Sequence, residues 1–191
     1  MSKKVLVPIA DGIEEIEAAC IIDVLRRAGA EVTVASVGRL QVTASRETKL
    51  VADKQISQCV NIEYDLIALP GGMPGAEHLR DCKELETMLK QQNEQGRFYG
   101  AICASPVVVL AHYGLLDGRR ATCHPNFTEK LKNTNAEAIA ERVVVDGNCI
   151  TSQGPGTALE FALKLVELLY DREKAKEIAE AMVVKIKFED D

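Results

Sequence analysis

The segment with the clearest chemical potential is a cysteine at a corner. An apolar run, Phe98-Tyr99-Gly100-Ala101-Ile102, leads into Cys103-Ala104-Ser105 and then Pro106. Small residues, Ala101 and Ser105, lie two positions to either side of Cys103. This small-x-nucleophile-x-small spacing is the pattern of a strand-to-helix elbow, with Cys where a Ser often stands. Pro106 suits the first turn of a helix, where a missing N–H costs nothing. A thiol at a helix N-terminus feels the positive end of the dipole, so its pKa is expected below about 8.5. A buried cysteine in a small-residue turn fits the segment equally well.

Four other segments could supply partners. Asp11-Gly12-Ile13-Glu14-Glu15-Ile16-Glu17 follows an apolar run and opens a helix. Glu14 and Glu15 read as complements of the helix dipole. Glu17 falls on the side that carries Ile13 and Cys20, where burial would raise its pKa and suit it to shuttle a proton. Pro70-Gly71-Gly72 ends another run, and its glycines free backbone N–H groups for an oxyanion. His124, held extended by Pro125, is either a base for Cys103 or a structural histidine. Gly154-Pro155-Gly156-Thr157 precedes an amphipathic helix. Its glycines allow close backbone approach and anion binding, Gly156 reads as a tight turn, and Thr157 is in place to cap the helix.

The elements that must position these groups alternate. Strand patterns cover Lys4–Ile9, Glu31–Val37, Asp65–Leu69, Phe98–Ile102, Arg120–Cys123 and Val143–Ile150, the last broken by an Asp146-Gly147 turn. Helical patterns cover Glu14–Ala28, Lys83–Gln95, Pro106–Tyr113, Thr157–Leu169 and Arg172–Lys185. Leu40–Ala52 reads as a weak hairpin, and residues 185–191 as a frayed tail. Strands separated by helices imply βαβ units, hence one doubly wound α/β domain over 1–191 with a mostly parallel sheet and helices on both faces. In such sheets ligands bind at the carboxyl ends of the strands, where these segments lie.

Composition narrows the function. The 191 residues carry a net charge of −6, are 47% hydrophobic and only 4% aromatic, and contain no Trp. No basic stripe or stacking surface is evident, so no nucleic-acid partner is expected. No window approaches 18 apolar residues and the N-terminal apolar run is too short for a signal peptide, so neither a membrane partner nor export is expected and the location reads as cytoplasmic. Six scattered cysteines form no Cys-x-x-Cys pair, so free thiols and no metal are expected. Gly71-Gly72 lacks the G-x-G-x-x-G spacing and no Walker sequence occurs, which speaks against a nucleotide.

Taken together, Gly12-x-Glu14-Glu15-x-Glu17, Ser45-Arg46, Leu69-Pro70-Gly71-Gly72, Ala101-Ile102-Cys103-Ala104, His124-Pro125 and Thr151-Ser152-Gln153-Gly154-Pro155-Gly156-Thr157 resemble the ThiJ/PfpI superfamily. The closer match is its DJ-one branch of protein deglycases and chaperone-like relatives, and it runs over essentially the whole chain. The resemblance implies a flavodoxin-like fold and a homodimer. It makes Cys103 the nucleophile and oxidation-sensitive thiol, Glu17 the carboxylic acid bonded to it, and His124 the nearby histidine. Gly71, Gly72 and Ala104 would meet the oxyanion, with Gly154 and Pro155 beside the substrate. Arg27 and Arg46 match arginines near the dimer interface and anion pocket, and Glu14 an acid paired with them. Ser105 departs from the branch by replacing a Gly, and Gln153 stands where some members carry Arg. The activity implied is that of a cofactor-free glyoxalase III-type hydro-lyase or protein deglycase. Its substrates would be 2-oxoaldehydes (methylglyoxal, glyoxal) or their glycated adducts. The alternatives are a redox-sensing chaperone with an oxidisable Cys103, or a cysteine peptidase or amidase.

Overall fold

The computed structural model describes residues 2–185; most of the expected tail, 186–191, lies outside them. In chain order the strands and helices are β1 (Lys4–Ile9), α1 (Glu15–Arg27), β2 (Glu31–Ser36), β3 (Gln41–Thr43), β4 (Lys49–Val51), β5 (Lys54–Gln55), β6 (Leu66–Leu69), α2 (Gly75–Arg80), α3 (Lys83–Glu94), β7 (Phe98–Ile102), β8 (Arg120–Ala121), α4 (Thr128–Lys132), β9 (Glu137–Ala138), β10 (Val143–Asp146), β11 (Cys149–Ser152), α5 (Ala158–Leu169) and α6 (Arg172–Ala181). One sheet takes the order β10-β11-β7-β6-β1-β2-β5. All its pairings are parallel except β10 with β11. The flavodoxin-like, mostly parallel architecture expected from the sequence is therefore present.

The strand order reverses between β1 and β6. From β1 the chain steps outward to β2; from β6 it steps the other way to β7. Right-handed crossovers then set α1 and α3 on opposite faces. Both faces must be apolar, and β1 is buried from Val5 to Ile9. Helix α1 buries Glu17, Ala18, Ile21, Val24 and Leu25, a stripe at helical spacing that contains one carboxylate. It packs on α5, which also packs on α6. Phe161 of α5 is fully buried, and its ring lies against Gly100 of β7, where a Cβ would come within 3.1 Å. The reversal leaves a crevice at the carboxyl ends of β1 and β6, the usual ligand position in such sheets.

Several local expectations shift. Residues 106–111 form a π-helix rather than an ordinary short α-helix. Only Arg120–Ala121 of the expected Arg120–Cys123 strand is extended, and it pairs with Glu137–Ala138 outside the main sheet. Beyond it, Thr122 N–H donates to the Thr151 hydroxyl at 3.0 Å, which removes it from any ladder. Thr157 occupies the N-cap position of α5, but its hydroxyl turns back to Gly154 and Ser152 instead of capping the helix. The Leu40–Ala52 segment does form a hairpin, β3 with β4.

Phe161→Ala should lower the unfolding free energy by about 3–5 kcal/mol, read by urea denaturation, because it empties a fully buried site against the side-chain-free Gly100.

Candidate active site

The ends of β6, β7 and β11 and the start of α1 converge. Cys103 follows β7 directly and has φ +66. For a residue with a Cβ, that left-handed conformation costs roughly 1–2 kcal/mol. Two hydrogen bonds hold it: Cys103 N–H donates to Ser152 C=O at 3.0 Å, and Cys103 C=O accepts from His124 N–H at 2.9 Å. The strained corner is thus tied to two neighbouring segments, and the thiol is left half-buried.

Glu17 reaches the thiol because of how α1 begins. Glu14 is the N-cap, and its Oε2 accepts from Glu17 N–H at 2.9 Å. A carboxylate three residues after the cap usually folds back onto the cap's own N–H. Here the Glu14 N–H is already taken by Gly71 C=O at 2.9 Å. Glu17 turns inward instead and is fully buried, with Oε2 accepting from Gly71 N–H at 2.7 Å. Its other oxygen, Oε1, is buried without a well-formed hydrogen bond, while the Cys103 thiol is close enough to perturb the carboxyl.

Glycine is required where these segments touch. A Cβ at Gly71 would lie 2.5 Å from Cys103 Cβ and 2.9 Å from Glu17 Oε2. Gly72 has φ +90, and a Cβ there would sit 2.4 Å from Glu14 N. The N–H groups of Gly72 and Ala104 both act on the Cys103 sulfur. They form a pair of donors at the place where negative charge on sulfur or on a sulfur-bound oxygen would develop.

Burial pushes the Glu17 carboxyl from 4.5 up to about 7; the Gly71 N–H opposes this, and the charge of Glu14 adds to it. Burial also pushes the Cys103 thiol up, to about 12, and the Glu17 charge adds to that while the Gly72 and Ala104 N–H groups oppose it. The expected drop below 8.5 is therefore corrected. The dipole of a six-residue π-helix does not outweigh desolvation and an adjacent carboxylate. Two groups this close take up negative charge as a unit, and the pair holds at least one proton through neutral pH.

The other candidate residues divide. His124 lies beside the site: a Cβ on Gly154 would come within 3.2 Å of its ring Cδ2. Its Nδ1 accepts from Asn126 N–H at 3.2 Å, which leaves the proton of the neutral ring on Nε2. No hydrogen bond joins its ring to Cys103 among the described residues. Gly154 and Pro155 follow β11 at the same edge. Arg46 is exposed, and its N–H is held by Glu15 at 2.9 Å, with the Ser45 hydroxyl on the same carboxylate. Arg27 is not in the site. It lies ten residues beyond Glu17 along α1, about 15 Å at the helical rise, and pairs with Asp23 at 2.6 Å. Glu14 caps α1 rather than pairing with either arginine. Among the described residues no cluster of His, Cys, Asp and Glu is arranged to hold a metal ion.

Sequence reasoning named two contributors, Ser152 and Ser105, without assigning either a partner. Ser152 holds the Cys103 backbone. Ser105 is fully buried, and its hydroxyl donates to Pro70 C=O at 2.6 Å. The signal for Ser105 was its polarity in an otherwise small, apolar turn.

The DJ-1/PfpI family model matches residues 3–168. The chain belongs to the DJ-1/PfpI family. It is 48% identical over 185 residues to protein DJ-1 homolog A of Arabidopsis thaliana, which covers 96% of this chain but only 47% of that longer relative. The chain thus spans about half the length of that relative. It is 38% identical over 177 residues to a Caenorhabditis elegans protein named glutathione-independent glyoxalase DJR-1.2, covering 93% of each. Among solved structures, oxidized Toxoplasma gondii DJ-1 superposes with TM-score 0.93 at 50% identity, covering 97% of this chain and 100% of that one. No helix among the described residues is long and apolar enough to cross a membrane.

A carboxyl raised by burial retains its proton in the folded protein after the unfolded chain has released its own. The stability this gives is complete below pH 4.5 and is lost as pH rises through about 7. Relative to Glu17→Gln, the wild type should lose about 3 kcal/mol between pH 4.5 and 8, read from urea unfolding at each pH. Gly72→Ala should cost more than about 1 kcal/mol, because it meets both a positive φ and the Glu14 backbone.

Proposed function

We propose that this chain is a cofactor-free, glutathione-independent glyoxalase that converts 2-oxoaldehydes to 2-hydroxy acids. The observation that carries this reading is the buried Glu17 carboxyl set against Cys103, with the Gly72 and Ala104 N–H groups on the sulfur. A carboxyl near 7 facing a thiol near 12 is a general base for that thiol at neutral pH. As Sγ bonds to the aldehyde carbon of methylglyoxal, the thiol proton passes to Glu17 and on to the aldehyde oxygen, giving a hemithioacetal. Glu17 then takes the proton from that carbon and returns it to the neighbouring carbonyl carbon, while the hydroxyl proton moves from the first oxygen to the second. The first carbon is oxidised, the second is reduced, and the product is a thioester of lactate on Cys103. Water cleaves the thioester, releasing lactate and restoring the thiol.

The N–H pair stabilises the oxyanion at attack and at hydrolysis. His124, with its proton on Nε2, serves as a hydrogen-bond donor to a substrate oxygen. Its Nδ1 is engaged by Asn126 N–H and its ring makes no hydrogen bond to Cys103 among the described residues, which disfavours the peptidase and amidase reading. The same attack on a glycated amine, thiol or guanidine adduct would be a deglycase reaction. A homodimer, from the family resemblance, and a cytoplasmic location, from the sequence's apolar patterning, belong to this reading.

Lactate formation from methylglyoxal without glutathione tests it. Cys103→Ala and Glu17→Gln should each lower kcat/KM by at least about 100-fold. Turnover retained in both would overturn it.

A second reading, a redox-responsive protective protein, is favoured by one feature: the two N–H groups on Sγ would equally hold oxygens added to the sulfur. Peptide mapping after mild peroxide should then find Cys103 oxidised ahead of Cys20 and Cys149; equal oxidation of the three would contradict it.

A further inference from the structure

Three backbone N–H groups serve the reacting pair, and each belongs to a peptide whose carbonyl accepts a hydrogen bond on its other side. The Gly71 N–H, on Glu17 Oε2, shares its peptide with Pro70 C=O, which accepts from the Ser105 hydroxyl at 2.6 Å. The Gly72 N–H, on the sulfur, shares its peptide with Gly71 C=O, which accepts from Glu14 N–H at 2.9 Å. The Ala104 N–H, also on the sulfur, shares its peptide with Cys103 C=O, which accepts from His124 N–H at 2.9 Å. A bond donated to a peptide carbonyl polarises that peptide and strengthens the bond its N–H makes. Two of the three outer donors are backbone groups, present whatever residue is there. Only Ser105 contributes through a side chain.

We propose that Ser105 is a positioning residue of this site: its hydroxyl fixes and polarises the Pro70–Gly71 peptide, and so governs how firmly Glu17 is held as a carboxylate and how readily it takes the Cys103 proton. The geometry is specific to this role. Ser105 is fully buried, so no water competes for its hydroxyl. Pro70 has no N–H, and its carbonyl is otherwise free for one strong donor. Gly71 is pinned on both sides, by Glu17 and by Glu14, so the peptide cannot rotate to find another partner. The charged and titratable groups acting on Glu17 are Glu14 on its own helix and Cys103 at the end of β7. Cys20, one turn further along α1, feels Glu17 in turn. Among the described residues the Ser105 hydroxyl makes no hydrogen bond to any of these.

The proposal deepens the reading of Cys103 and Glu17 as a reacting pair, but its test needs no substrate. Carboxyl-labelled glutamate in the full chain gives the Glu17 titration by carbon NMR, with Glu17→Gln assigning the signal. Ser105→Ala should move the Glu17 midpoint up by roughly half a unit, the size expected when 10–30% of a charge-assisted hydrogen bond is lost. Ser105→Gly, which removes the hydroxyl without adding a contact, should do the same and stands in if the alanine variant does not fold. Ser105→Thr, which keeps the hydroxyl, should return the midpoint to within about 0.1 unit. A merely structural serine would change melting temperature and leave this midpoint in place. An unchanged midpoint in the alanine and glycine variants overturns the proposal, as does a shift that threonine fails to reverse. If the midpoint moves as expected while lactate formation proves independent of Cys103, the relay stands and the glyoxalase reading falls.

Discussion

One buried carboxyl sets the terms for everything around it. Glu17 sits inside the protein with a single formed hydrogen bond, from Gly71, and faces a thiol that burial also keeps protonated. Two such groups cannot both be charged in this setting, so the proton is passed between them instead of being lost. The structure is built to tolerate this. The start of α1 gives up its usual capping arrangement, Gly71 and Gly72 give up side chains, and Cys103 adopts a left-handed backbone. Each departure has a local cost, and each brings a polar atom to the pair. The rest of the fold, with its strands buried on both faces, supplies the rigid frame against which these departures are held.

In the proposed reaction this arrangement needs no added thiol or prosthetic group. The protein provides the sulfur, the base and the oxyanion donors from three segments, the ends of β6 and β7 and the start of α1, which meet because the sheet reverses its strand order between β1 and β6. A single carboxyl that can take and return a proton near neutral pH suits a reaction whose redox change is internal to the substrate. The donors on sulfur suit the redox reading as well, which is why the two readings share a site.

Much of this was legible in the sequence. The buried strand runs, the glycines after β6 and the cysteine at its corner are short-range patterns, and the βαβ alternation fixes which strand ends lie together. Glu17 stood out as a carboxylate on an apolar helical stripe. What was not legible depends on contacts between distant segments. Sequence spacing displays the dipole near Cys103 but not the burial that overrides it, so the thiol was expected to move the wrong way. Ser105 and Pro70 are 35 residues apart, and nothing local marks their bond. Arg27 matched a family pattern at a dimer interface; within this chain helical geometry places it at the far end of α1, where it pairs with Asp23. The two-residue strands β5, β8 and β9 are too short to carry any period.

The central claim is that Cys103 forms a bond to the substrate carbon under the control of Glu17. Rapid acid quenching of the protein during turnover of methylglyoxal, followed by peptide mapping, tests it most directly. The account predicts a lactate thioester on Cys103 in the wild type that is missing from both Glu17→Gln and Cys103→Ala. Turnover with no adduct on Cys103, or with adducts only on lysine and arginine, would contradict it.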